Sequence, residues 1–178
     1  MAVLAQLEPK AVFHYFEEIC GIPHESSDTQ AISDYLVAFA KERNLYVRQD
    51  TLGNVIIKKP ATSGYEDAPV VMLQGHMDMV CEKTDDKEID FHTQGLDLVL
   101  EGNVIHADRT TLGGDDGIAV AFALAILDAM HALHETIEEK NTSPSVPGEQ
   151  SVAVFPGKKE ERIQPSGYSI AVPVSYTH

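Results

Sequence analysis

Two short segments carry the side chains best suited to chemistry: Gly75-His76-Met77-Asp78-Met79-Val80 and Leu112-Gly113-Gly114-Asp115-Asp116-Gly117. Together they offer one imidazole and several carboxylates that could converge on a divalent metal. Residues two apart on an extended backbone point the same way, so His76 and Asp78 would face one side at the end of a strand. That geometry suits a ligand and its helper, because a metal-bound imidazole needs an acceptor to fix its second ring nitrogen. By itself His-x-Asp more often describes a structural histidine satisfied by a neighbouring carboxylate. In the second segment glycines let the backbone approach a ligand and free a carboxylate to project into a cleft. Alone, that pattern equally describes a turn followed by a helix N-cap. Taken together, the two segments favour metal carboxylates.

The surrounding sequence supplies elements to position them. Val12, Phe13, Phe16 and Ile19 recur at helical spacing behind Pro9, which suits a first helical turn. After the break at Gly21 and Pro23, Ser27 or Asp28 can cap a second helix with the stripe Ile32, Tyr35, Leu36, Phe39 and Ala40, running out near Arg43. Residues 45–49 and 54–59 read as strands joined by Asp50-Thr51-Leu52-Gly53. The apolar run 70–74 has the pattern of a strand buried on both faces, with His76 and Asp78 at its C-terminal end. Residues 81–103 read as a long polar excursion, 104–106 as a further strand and 117–127 as an Ala-rich helix. The order predicts an α/β domain with a mixed sheet flanked by helices over residues 1–129.

The chain has 178 residues, 43% hydrophobic and 23% charged, a globular composition. Its formal net charge of -15 argues against binding a phosphate backbone, which takes clustered Lys and Arg. Cys20 and Cys81 form no CxxC motif or regular ladder and are read as reduced thiols, Cys20 buried and Cys81 near a cleft. The N-terminus lacks the basic and apolar regions of a secretory signal, and no stretch reaches the roughly 18 apolar residues that span a bilayer. A cytoplasmic protein, with no nucleic-acid or membrane partner, is the expectation.

Beyond residue 129 the text changes. Pro144, Pro147 and Gly148 form a turn-rich stretch, 158–162 is a charge run, and Pro165-Ser166-Gly167 interrupts again. Residues 151–155 and 168–174 could form strands, without an obvious place in the preceding architecture. Residues 130–178 are expected to be an unrelated, loosely ordered tail.

Gly-His-Met-Asp-Met-Val at 75–80, Thr-Thr-Leu-Gly-Gly-Asp-Asp-Gly-Ile-Ala at 110–119 and Ile-Pro-His-Glu-Ser at 22–26 resemble the aminoacyl-histidine dipeptidases, cytosolic di-zinc peptidases related to the carnosinases and tripeptidases. The resemblance spans roughly residues 5–129, with several motifs in order. It implies a partial zinc-peptidase catalytic domain in which His76 is a zinc ligand, Asp115 bridges two zincs, and Asp78 is the catalytic-site residue that orients His76. Asp116 would be a neighbour rather than a ligand, and His24 and Glu25 structural. Gly114 stands where the family usually has Ala. Two zinc ions per site are implied, with cobalt or manganese as substitutes, a small peptide as substrate, and a homodimer in the full-length form.

The family also implies an adjacent Glu-Glu pair about thirty residues beyond the bridging Asp, a further Asp and a distant His. Glu138-Glu139, the nearest such pair, reads as an exposed helix end without a preceding strand. The expectation is therefore a truncated, inactive fragment of a metal-dependent hydrolase of aminoacyl-histidine dipeptides. Two other readings stand beside it: a non-catalytic binding module retaining a remnant metal site, and a complete small hydrolase using Glu138 or Glu139 as base.

Overall fold

The computed structural model describes residues 2–61, 64–138 and 169–171, and the side chains of those up to 129. Helix α1, Lys10–Cys20, starts behind Pro9 and buries Val12, Tyr15, Phe16 and Ile19. Helix α2, Gln30–Glu42, buries Ile32, Leu36, Phe39 and Ala40. Its N-cap is Thr29, without a side-chain cap, rather than Ser27 or Asp28. Strands β1, Tyr46–Gln49, and β2, Val55–Lys58, pair antiparallel as the turn residues predicted. The Asp50 carboxylate accepts from the amides of Leu52 and Asn54 and so fixes that turn.

Strand β3, Met72–Gln74, is shorter than its apolar run and lies at the sheet edge, not buried on both faces. Val71 and Met72 are 42% and 47% exposed. The continuous apolar run was compatible with burial on both faces, but among the described residues nothing covers the outer face of this edge. The polar excursion ends in a strand that alternation alone did not reveal, β4, Leu98–Glu101, which turns at Gly102 and pairs antiparallel with β5, Val104–Ala107, the strand expected over 104–106. Leu98-Val99-Leu100 followed by Glu-Gly-Asn was the available signal. The long helix α3, Gly114–Glu138, is interrupted at once by non-helical Asp115 and Asp116, so its regular turns begin near Gly117.

One further strand, β6, Ser169–Ala171, lies in the stretch expected to be loosely ordered, and it does find a place in the fold. It sits between β2 and β3 in the order β1-β2-β6-β3, antiparallel to β2 and parallel to β3. The sheet is therefore mixed. The possible strand over 151–155 lies outside the described residues.

α1 packs on α3, and a single cluster of apolar side chains from both helices, α2 and β2 forms the core. Each of its fully buried side chains, such as Leu36, Ile57 and Leu124, contributes about 1.5–3 kcal/mol through removal from water. Arg43, at the end of α2, ties the helices together: its Nε donates to Asp128 at 2.7 Å, its Nη2 to the Tyr15 hydroxyl at 3.0 Å, and its guanidinium lies 3.7 Å from the Phe39 ring centre. No helix among the described residues is long and apolar enough to cross a membrane.

Candidate metal centre

Beyond Gln74 the chain runs through His76 and Asp78 to an isolated bridge between Met79 and Glu25, and three struts hold it there. His24 and Ser26 bracket it from one side, with the Met79 amide donating to His24 O at 3.0 Å and the Ser26 amide to Met79 O at 3.1 Å. Residues 80–84 zip against 109–111 on the other side: the Thr111 amide donates to Glu82 O at 2.9 Å, its hydroxyl to Val80 O at 2.8 Å, and the Thr84 amide to Arg109 O at 3.0 Å. Lys87 braces that zip through Asp97 and Asp108, at 2.7 and 3.0 Å, with its side chain only 7% exposed. These contacts set the distance between the two segments.

Two glycines permit the closest approaches. At Gly113, with φ +69, a β-carbon would meet Met79 Sδ at 2.8 Å and Met79 Cβ at 3.1 Å, so any other residue strains the backbone and pushes the Met79 side chain aside. At Gly75 a β-carbon would stand 3.0 Å from Asp116 Oδ2. The absence of a side chain there makes room for a carboxylate beside the strand.

At the centre, His76 Nδ1 lies 3.0 Å from the main-chain oxygen of Asp78 and 3.3 Å from its Oδ1. Asp78 is nearly inaccessible, its side chain 2% exposed, whereas that of Asp115 is 98% exposed. With Nδ1 as the protonated nitrogen donating to Asp78, Nε2 presents a lone pair to Asp115 Oδ1, 3.3 Å away. His76, Asp115 and Asp116 each offer an atom within 4.8 Å of the others. Asp116, expected only as a neighbour, thus brings its carboxylate into the group, and burial pushes its pKa up, partly offset by His76. The tandem Asp-Asp was the signal for it.

These residues fit a metal. Zinc–nitrogen and zinc–oxygen bonds of about 2.0–2.1 Å at a tetrahedral angle put two ligand atoms about 3.3 Å apart. The His76 Nε2 to Asp115 Oδ1 distance is 3.3 Å. The cleft above them, about 370 Å³, is lined by Ser26, Met79, Val80, Thr111 and Leu112 in addition to the site residues. Ser26 and Thr111 were not singled out from sequence, since an isolated hydroxyl residue carries no positional signal.

Other candidates lie elsewhere. His24 is buried, its Nδ1 bonded to Ile22 O, and burial lowers its pKa, which keeps the ring neutral and structural. Glu25 reaches His92 at 3.5 Å. Burial raises the Cys20 thiol to about 12 and the Cys81 thiol to about 11, so neither is a thiolate nucleophile at neutral pH. Glu138 closes α3, roughly 35 Å along the helix from Asp115 at 1.5 Å per residue, so it is not the base of this site. Glu139 lies outside the described residues.

No protein-family model matches the chain. Over 138 residues it is 40% identical to the cytosol non-specific dipeptidase of Escherichia coli (strain K12), an alignment covering 78% of this chain and 28% of that protein. The crystal structure of aminoacylhistidine dipeptidase from Vibrio alginolyticus superposes with a TM-score of 0.67 at 42% identity, covering 70% of this chain and 25% of that one. In its N-terminal part the chain is related to the aminoacylhistidine dipeptidases. A tripeptidase from Staphylococcus aureus, with a TM-score of 0.57 at 18% identity over 82% of this chain and 36% of that one, shares the fold with this dipeptidase-related part. The chain spans 28% of the length of the curated dipeptidase it matches.

Proposed function

We propose that this chain carries part of the metal site of a zinc-dependent dipeptidase acting on aminoacyl-histidine-type dipeptides. In that reading His76 Nε2 and an Asp115 oxygen are metal ligands, Asp78 orients the His76 ring, and Asp116 stands ready as a further carboxylate. The single observation that carries it is the ring of His76 held between Asp78 on Nδ1 and Asp115 on Nε2, at ligand-to-ligand spacing. A bound zinc supplies Lewis acidity and lowers the pKa of its water. The protein's part is to hold the His76 ring with Nε2 aimed at Asp115, through the contact of Nδ1 with Asp78, and to present Asp115 from a helix start beside Gly113. The dipeptidase name of the E. coli relative supports a dipeptide substrate, the name of the Vibrio enzyme supports the aminoacyl-histidine type, and the cytosolic name of the former supports a cytoplasmic location.

The domain division at residue 129 belongs to the same proposal, residues 1–129 being peptidase-like and 130–178 atypical. One imidazole and two carboxylates make a weak site for one zinc and too small a set for two. With Glu138 remote and Asp78 engaged with His76, the described residues bring no further carboxylate to the cleft, and the 178-residue chain by itself is inactive in this reading. The same shortage favours a second reading, a metal-binding module without turnover. Dipeptide hydrolysis with added zinc or cobalt separates the possibilities. No turnover, together with metal binding that requires His76, agrees with the proposal; turnover that disappears in His76→Ala contradicts the inactivity, and metal binding indifferent to His76 contradicts the site.

A further inference from the structure

The metal-site strand is joined to the sheet by only one neighbour among the described residues. β3 pairs with β6 and with no other described strand, and β2 pairs with β1 and β6. Two strand spacings therefore separate β2 from β3, about 9.5 Å, a gap one strand wide. Its occupant comes from far downstream and is three residues long. Ala171 is level with Gln74, two residues before His76, and Ser169 is level with Met72.

The register defines what the gap accepts. Position 170 lies between Ile57 and Leu73, of which Ile57 is fully buried and Leu73 packs on the core, so the middle position belongs to the apolar face of the sheet. Positions 169 and 171 lie level with Lys58 and Met72, and with Ile56 and Gln74, on the opposite and more open face. Ser-Ile-Ala meets that requirement of an apolar residue between two small ones. A long connection raises the entropy of closing such a pairing only slowly, so a distant segment can serve.

We infer that the gap between β2 and β3 is a strand-acceptor slot, occupied by the chain's own Ser169–Ala171, and that its occupancy orders the strand carrying His76. β3 has no other described strand beside it and its outer face is exposed, while the struts beyond it grip the chain only from Met79 onward, so a parallel partner level with Gln74 fixes the backbone up to the residue before Gly75. The segment acts on the site through β3 and touches no reacting group. This inference rests on strand pairing and not on the peptidase reading.

Amide hydrogen exchange on the full 178-residue chain tests it without any metal. Ile170→Pro removes a ladder N–H from the middle of β6. The expected result is at least a tenfold faster exchange over residues 72–74, with α1 and α2 unchanged, and recovery of protection when a synthetic peptide of the sequence Gly-Tyr-Ser-Ile-Ala-Val-Pro, residues 167–173, is added in excess. If the variant loses protection throughout, the peptide still decides: recovery over 72–74 supports the slot. Unchanged exchange over 72–74 in Ile170→Pro, or no recovery at saturating peptide, overturns it.

Discussion

His76 Nε2 stands 3.3 Å from Asp115 Oδ1 although the two residues sit 39 positions apart and on different elements. With Nδ1 donating to Asp78, both facing atoms are acceptors, and two acceptors at that distance need a cation to be stable. A second proton on His76 would provide one; a divalent metal provides one and accounts as well for the Asp116 carboxylate placed beside them.

Asp78→Asn tests the role of the buried carboxylate. The main-chain oxygen of Asp78 still accepts from Nδ1, so the ring keeps its place but loses the carboxylate charge beside Nδ1. Zinc affinity measured by calorimetry should fall about 10- to 100-fold. An unchanged affinity would make Asp78 a purely structural residue.

The two neighbouring glycines should behave differently. Gly113→Ala forces a left-handed backbone and a clash with Met79 Sδ and should cost about 1–3 kcal/mol in urea unfolding while weakening metal binding. Gly114→Ala meets only Leu112 Cδ2 at 3.9 Å, and its effect should stay within about 0.5 kcal/mol. Equal losses in both would contradict the packing of the segment.

What the sequence could reveal followed from how local each signal is. Helices α1 and α2 announced themselves because Val12, Phe16, Ile19 and Ile32, Leu36, Phe39 repeat at the helical period over about two turns each. The β1–β2 hairpin was legible from its Asp-Thr-Leu-Gly turn. The edge position of β3 was not, because an apolar run reads alike whether or not a neighbour covers it. The place of Ser169–Ala171 depends wholly on pairing with distant strands. In the site, His76 and Asp115 could be named from their motifs, whereas the entry of Asp116 into the group depends on the non-helical backbone at 115–116 and on the space left by Gly75, neither of which a spacing rule contains.

Lys59 gives the fold a pH signature. Its amine is buried, donates to Leu127 O at 3.2 Å, and is pushed down to about 8 chiefly by burial, with Asp128 opposing. Between about pH 8 and the ordinary lysine value near 10.5, the unfolded chain holds a proton that the folded chain lacks, so this group's contribution to stability rises with pH across that window. Relative to Lys59→Met, the wild-type chain should gain on the order of 2 kcal/mol from pH 7.5 to pH 10 in chemical denaturation. A pH-independent difference would contradict the buried amine.

Both thiols should be inert in the folded chain. With Cys20 raised to about 12 and Cys81 to about 11, iodoacetamide at pH 8 should label neither at an appreciable rate, and denaturant should expose both. Rapid labelling of Cys81 under native conditions would show a thiolate, contrary to its surroundings.

The central claim, that His76 and Asp115 share a metal, is tested most directly by titrating the chain with cobalt(II) and following its visible absorption in wild type, His76→Ala and Asp115→Ala. The account predicts a saturable band in the wild type that each substitution weakens at least tenfold in affinity, with the helical circular dichroism unchanged. A band of equal affinity in all three proteins would contradict it.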